Sequence, residues 1–504
     1  MNRRDMFRGA LSGYVTGLMA RLPLRAAPGI AGFYERIGVR PVINCKGTFT
    51  IISGSQTLPE VKRAMDEASR HYVHLDELMD GVGKRLAEIT RAEWGIITAG
   101  CAAALTHATA ACIAGADPEK MQRLPDLTGL KNEVVSPRPS RNVYDHAIRM
   151  LGVKIITPTT REEYLGALRP STAMVALLGE TIPRHPMPLE EMTAAAHARG
   201  IPVMLDAAAE RLTIPNVYLA KGVDMVGYSG GKCLRGPQCA GLLLGRKDLL
   251  QAAWLNSAPH HAFGRSLKVG KEEIMGMLAA VEAWVKRDHD AEWKQWEGWL
   301  GTIREKVASL PTVRTEILQP TGPSNYAPQL RISFDPVKIG ATGTEIADAL
   351  LAGNPRVLVP AGENNLTIMP YMMMPGDDAI AAAKIQQALL NPPRREKPAA
   401  GPSGEPITGM WDVEVAFLRG QANHTLYLEE RNGKLVGQHR SETMSGEVRG
   451  TRQGDRVDLR SGHRYEGTVI GYRFEGTIAS GAMTGTIDLG EYGTARFTAR
   501  RRWA

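Results

Sequence analysis

Lys232 carries the strongest chemical signal in this 504-residue chain. It ends the stretch Gly227-Tyr-Ser-Gly-Gly-Lys232, and an earlier apolar run ends in Asp206. A lysine amine on a glycine turn can condense with an aldehyde. A carboxylate on the next strand can keep a heteroaromatic ring nitrogen protonated, so that the ring accepts electrons from a bound substrate. Ser229, three residues before the lysine, is placed to hydrogen-bond a phosphate. Together these are the requirements of pyridoxal phosphate.

Two other readings share the local sequence. The nucleotide-binding pattern G-x-x-x-x-G-K-[ST] fails twice, with Val226 at the first glycine position and Cys233 after the lysine. An ordinary solvated lysine on a turn remains open from Gly-Gly-Lys alone. Two further features favour the cofactor: the strand that ends in Asp206, and a second anion-binding segment upstream.

That segment is a short strand at 94–98 followed by Ala99-Gly-Cys-Ala-Ala-Ala104 and a small-residue helix to about residue 114. A strand that turns through glycine into a helix presents free N–H groups and the positive end of the helix dipole. Gly100, Cys101 and Ala102 therefore form a candidate phosphate cup.

The elements that must position these groups follow from apolar periodicity. Residues 201–205 read as a buried strand that delivers Asp206 at its C-terminal end, where open α/β sheets bind ligands. Residues 224–228 form the next strand. The run 239–244 returns too soon for a helical crossover, which predicts an antiparallel neighbour and places Lys232 on the turn between them. With strands at 154–156 and 174–178 and a helix at 188–199, the alternation implies right-handed crossovers and a mostly parallel sheet. The fold class is α/β, with a large domain over 30–310 and a small α/β domain over 311–392.

One long tryptophan-rich helix over 274–310 is expected to lead into the small domain. That domain has strands at 329–334, 356–359 and 365–369 and a closing helix at 377–390. Arg331, on the first of these strands, is a candidate clamp for a substrate carboxylate; an exposed strand arginine has the same sequence signature. Residues 393–406 are proline-rich and read as a linker. Residues 407–504 change to short alternating runs separated by glycines, the rhythm of an all-β barrel or sandwich, expected to aid assembly or partner contact.

Charge and composition exclude several classes. The formal net charge is +8, but seven arginines against Asp5 and Glu35 lie in the first 40 residues, so no basic nucleic-acid face is indicated. No run of eighteen apolar residues exists, so no membrane span is expected. The five cysteines form no C-x-x-C pair, which supports neither a zinc site nor a disulfide framework and leaves the metal expectation at none. Residues 1–29 read as a targeting segment. Asn2-Arg-Arg-Asp-Met-Phe-Arg8 approximates the twin-arginine signal, which exports proteins already folded around a cofactor, so a periplasmic location is expected over a cytoplasmic one.

The order Asp206-Ala-Ala-Ala-Glu210, Gly227-Tyr-Ser-Gly-Gly-Lys232 and Leu234-Arg-Gly-Pro-Gln238 closely resembles the selenocysteine-synthase-like branch of fold-type-I pyridoxal phosphate enzymes, which includes D-glucosaminate-6-phosphate ammonia-lyase. The likeness extends to Arg40-Pro-Val-Ile-Asn-Cys-Lys-Gly-Thr48 and Arg265-Ser-Leu-Lys-Val-Gly-Lys-Glu-Glu273. It covers about residues 35–392. The resemblance implies that an aromatic group near 142–146 covers the cofactor ring, with His146 the first candidate and Tyr144 the second. It also implies a homodimer or larger assembly.

In activity, the resemblance points to an enzyme that eliminates a β-substituent from an amino acid or amino-sugar acid and releases ammonia. Arg235, Arg265 and Lys268 are candidate holders of an acidic or phosphorylated small-molecule substrate. Selenium transfer to seryl-tRNA, racemisation and transamination use the same lysine. A catalytically silent binding protein is the alternative outside the class, and the joint presence of Asp206, Ser229 and Lys232 argues against it.

Overall fold

Apolar runs of three to seven residues, too short for helices and buried along their length, form the strands that carry the site. The computed structural model describes residues 31–393 and 405–502, so the twin-arginine-like segment at 1–29 lies outside the described residues. In chain order the first twelve strands are β1 (Val42–Asn44), β2 (Trp94–Thr98), β3 (Glu133–Val135), β4 (Lys154–Ile156), β5 (Thr172–Leu178), β6 (Val203–Asp206), β7 (Met225–Ser229), β8 (Gly241–Gly245), β9 (Arg314–Leu318), β10 (Gln329–Ser333), β11 (Arg356–Leu358) and β12 (Asn365–Ile368).

The large sheet has the order β2-β8-β7-β6-β5-β3-β4. Strands β4, β3, β5, β6 and β7 run parallel, and β8 is antiparallel to both β7 and β2, as the short return after Lys232 predicts. Strands β2, β6 and β8 are buried at every residue because helices cover both faces of the sheet. Each buried Val, Leu or Ile contributes about 1.5–3 kcal/mol, so this central stretch holds the parallel strands together.

The small domain has its own core around Leu330, Ile332, Ile346 and Ile385, beneath a three-stranded sheet ordered β12-β10-β9. Strand β11 does not join that sheet; it pairs in parallel with β1, which ties the segment after residue 40 to the small domain.

The expected single helix over 274–310 is two helices, Lys271–Lys286 and His289–Ala308. The chain breaks at Arg287, whose backbone is extended, and Asp288 caps the second helix by accepting from the Ala291 N–H. The apolar and tryptophan spacing continues across the break, so periodicity alone conceals it.

The C-terminal region is a closed eight-stranded antiparallel barrel, β13 (Gly409–Ala416), β14 (Gln421–Arg431), β15 (Lys434–Arg440), β16 (Ser445–Gln453), β17 (Arg456–Tyr465), β18 (Thr468–Ala479), β19 (Ala482–Asp488) and β20 (Thr494–Arg501). Each strand pairs with its sequence neighbour, and β13 closes on β20 from Trp411 opposite Arg501 to Ala416 opposite Arg496. Closure removes the sheet edges. Trp411, Phe474 and Leu428 fill its centre. Among the described residues no helix is long and apolar enough to cross a membrane.

Candidate active site

Gly241 fixes the geometry of the site. On one side of β8 it lies opposite Ser229, and on the other opposite Thr98. A Cβ at Gly241 would stand 2.4 Å from the Gly100 carbonyl carbon and 2.7 Å from the Cys101 nitrogen. The absent side chain therefore lets the turn after β2 rest on the strand that returns from the lysine. The two anion-binding segments seen in the sequence meet at this point.

Gly100 has φ +92°, a left-handed conformation that glycine adopts freely, and it precedes the helix Cys101–Ala114. The first-turn N–H groups of Cys101, Ala102 and Ala103 have no partner within the helix and point out of its N-terminus. Ala102 is exposed there, while Cys101 and Ala103 are buried. Dipole and donors favour an anion at this position.

Asp206 ends β6, paired with Leu178 of β5 and Gly227 of β7. It is buried, and its Oδ1 accepts from the Ala208 N–H at 2.9 Å and the Cys101 thiol at 3.5 Å. Burial raises its pKa, against the opposing pull of the Ala208 N–H and the nearby charge of Lys232. A buried carboxyl held up in this way gains stabilisation as an anion from a cationic partner, which a protonated ring nitrogen would be.

Lys232 stands half-buried on the turn between β7 and β8. The turn is closed by Gly230 N–H to the Ala240 carbonyl (2.8 Å), Gly236 N–H to the Gly230 carbonyl (2.8 Å) and Arg235 N–H to the Lys232 carbonyl (2.9 Å). A Cβ at Gly230 would stand 2.8 Å from the Ala240 carbonyl oxygen and 2.9 Å from that of Pro237, so the turn packs only with glycine there. Among the described residues no hydrogen bond or ion pair engages the Lys232 amine, and its charge is felt by Asp206, Cys101 and Cys233. A free amine, a buried carboxylate, the Ser229 hydroxyl and a helix N-terminus thus converge at the C-terminal end of the sheet. Their chemistry fits pyridoxal phosphate.

The loop expected to cover the site carries both aromatic candidates. His146 is exposed, and the hydroxyl of Tyr144 has its pKa raised by burial and then by the charge of Asp206. The charge of Asp206 reaches Tyr144. This tyrosine stands half-exposed at the start of the helix Asp145–Arg149, and its N–H is held by the Asn142 side chain at 2.7 Å.

The barrel packs against this same loop. Arg141, nearly buried, bonds Asp145, Thr157 and Glu466 of the barrel together. Arg149 lies 5.4 Å from the ring centre of Tyr465, and a Cβ on Gly467 would stand 2.0 Å from the Asn142 carbonyl oxygen.

The candidate anion holders are dispersed. Arg235 stays at the lysine turn with φ +53°, its Nε donating to the Gln56 carbonyl at 3.1 Å. Arg265 and Lys268 stand exposed on the loop before the helix Lys271–Lys286. Arg331 is exposed on β10, opposite Glu316 and Thr367, away from the lysine turn.

Several notable groups escape the sequence reading. Glu210, four residues after Asp206, is buried with Tyr218 donating to it, and its pKa is pushed up to about 7 by burial, with Asp206 and Glu180 adding to the rise. Arg211 and Arg287 join Arg235 around one cavity beside the turn. Inside the barrel the rings of His424, His439 and His463 adjoin in a tilted row, with Nδ1 of His424 2.9 Å from Nε2 of His439. Each faces inward from a different strand, a proximity that spacing cannot reveal. No group of three or more possible ligands among the described residues is arranged to hold a metal ion.

Residues 148–264 match the aminotransferase class-V family. The chain is 28% identical over 375 residues to a 5'-C-glycyluridine monooxygenase-decarboxylase of Streptomyces sp, which covers 71% of this chain and 92% of that protein. It is 26% identical over 370 residues to the D-glucosaminate-6-phosphate ammonia lyase of Salmonella typhimurium, covering 70% and 97%. It is also 26% identical over 404 residues to an L-seryl-tRNA(Sec) selenium transferase of Moorella thermoacetica, covering 70% and 83%. A solved structure of D-glucosaminate-6-phosphate ammonia-lyase superposes with a TM-score of 0.64 at 25% identity, over 71% of this chain and 98% of that one.

Proposed function

We propose that this chain, a relative of the ammonia-lyase and selenium-transferase branch of the fold-type-I pyridoxal phosphate enzymes, holds that cofactor at Lys232 and eliminates a β-substituent from an amino acid or amino-sugar acid, with release of ammonia. The observation that supports it most is the close packing at Gly241, which brings the lysine turn and the Gly100–Cys101 cup to one point. When bound, the cofactor supplies an electron sink conjugated to the substrate Cα.

The residues of the chain divide the remaining work. The N–H groups of Cys101 and Ala102 and the Ser229 hydroxyl bind the phosphate. Asp206, buried and paired with the Cys101 thiol, holds a proton on the ring nitrogen. Tyr144 shields the ring from water. The Lys232 amine, which would hold the cofactor, is the base placed to take the Cα proton and to deliver it to the departing β-hydroxyl. The net reaction converts a β-hydroxy amino acid into a 2-keto acid and ammonia.

A second feature of the reading, carried over from the family resemblance, is a homodimer or larger assembly in which Arg265 and Lys268, exposed in the single chain, face a neighbouring copy's site. Sedimentation of the fully active holoenzyme as a monomer would rule that out.

The reaction is tested with a panel of β-hydroxy amino acids and aldonic amino-sugar acids, with and without phosphate, assayed for ammonia and keto acid together. Equal amounts of both are expected. Exchange of solvent deuterium into Cα without ammonia would indicate a racemase, and conversion of the cofactor to its amine form a transaminase; either outcome overturns the lyase reading.

A further inference from the structure

Immediately after Lys232 the chain enters the wall of a cavity of about 330 Å³, to which Cys233 and Arg235 contribute. Its other walls come from Arg211 after β6, from the helix break at Arg287, and from Tyr326 and Tyr371 of the small domain. It therefore lies where large and small domains meet, a common place for a ligand.

Three guanidinium groups face this space. Among the described residues no carboxylate forms an ion pair with Arg211 or Arg235, and the one paired with Arg287, Glu292, stands 3.7 Å away. Arg287 donates to the Cys233 carbonyl at 3.1 Å, so it also braces the lysine turn. Burial, and then the charge of Arg287, disfavour the charged form of Arg235. Asp290, Glu292, His289 and Gln295 add to the polar lining, leaving three guanidinium groups against two carboxylates. Uncompensated charge in a partly desolvated site is costly, and an anion that receives paired N–H bonds relieves it.

The rest of the wall is aromatic. Trp293 packs 5.6 Å from Tyr326 and 6.1 Å from Trp296, ring centre to ring centre, and Trp296 lies 6.3 Å from Tyr371. The Arg211 guanidinium lies 5.0 Å from the centre of the Tyr326 ring, so charge and flat apolar surface adjoin.

We infer that this cavity is the specificity pocket for the distal end of the substrate, and that it takes an anionic group, phosphate or carboxylate, carried on a flat-faced body such as an aromatic ring or a pyranose. The inference rests on the proposed function only in placing the reacting end of that substrate at Lys232.

The test is a titration followed by intrinsic tryptophan fluorescence, since Trp293 and Trp296 line the cavity. Holoenzyme, whose phosphate cup is already filled, is titrated with phenyl phosphate, benzoate, glucose 6-phosphate and inorganic phosphate. A saturable change is expected with phenyl phosphate or glucose 6-phosphate, at least tenfold tighter than with inorganic phosphate. Benzoate compared with phenyl phosphate separates carboxylate from phosphate recognition.

Arg211→Gln should weaken that binding at least tenfold and leave the cofactor absorbance unchanged, with Arg211→Lys intermediate. Trp296→Leu tests the aromatic wall independently. The same titration of cofactor-free protein, read as the difference between wild type and Arg211→Gln, keeps the pocket testable if Lys232 fails to hold the cofactor. No saturable change, equal affinity for inorganic phosphate, or binding untouched by Arg211→Gln would overturn the inference.

Discussion

The thiol of Cys101 donates to Oδ1 of Asp206 across 3.5 Å, joining the first turn of the helix after β2 to the end of β6. This contact connects the phosphate cup to the carboxylate meant for the ring nitrogen. It also fixes the state of the sulfur, because burial and the Asp206 charge push the Cys101 pKa well up. Cys101 is a hydrogen-bond donor here, and its thiolate is disfavoured. Iodoacetamide applied to the native protein should label Cys239, the exposed cysteine, and spare Cys101 and Cys45. Peptide mass mapping reads the outcome; early labelling of Cys101 would show that its sulfur is a nucleophile.

Glu210 predicts a pH dependence of stability. Its carboxyl is pushed up from 4.5 to about 7 in the folded chain, burial being the largest cause. The protonated form is favoured on folding, so the associated stability is fully present below the unfolded value and is lost as pH rises towards 7. That loss is on the order of 3 kcal/mol. Glu210→Gln keeps an acceptor for Tyr218 and removes the titration. In thermal unfolding of cofactor-free protein between pH 4 and pH 8, the variant should lack most of the decline shown by wild type. Parallel profiles would contradict the assignment.

Glu466 predicts a role for the barrel. Arg141 ties it to the loop that holds Tyr144, and Asp145 remains as a partner when Glu466 is removed. Glu466→Ala should therefore cost about 1–2 kcal/mol locally and leave both domains folded. Amide exchange across residues 141–149 should accelerate several-fold, and turnover should fall further than substrate affinity. Unchanged exchange in this loop would show that the barrel does not position it.

The parts of the site made by local sequence are legible in the sequence itself. Asp206 and Lys232 each follow a buried apolar run, and the quick return of residues 239–244 reveals the antiparallel turn. The cup at Gly100 is a strand, a glycine and a helix start in succession. What escaped depends on contacts between distant segments. Arg211 and Arg287 are 76 residues apart in sequence and line the same cavity, and Arg287 stands at the helix break that the continuous tryptophan spacing hides. Tyr144 and His146 are two residues apart on one short loop, and their spacing does not say which of them lies nearer Asp206. The alternating runs after residue 407 suit a sandwich as well as a barrel, and the choice is made by the pairing of β13 with β20.

The central claim is that Lys232 holds the cofactor, and borohydride reduction of the holoenzyme tests it most directly. One pyridoxyl-modified peptide is expected, with the added mass on Lys232, and the modification is lost in Lys232→Ala. A modification on any other lysine, or none at all in a protein that retains bound cofactor, would contradict it.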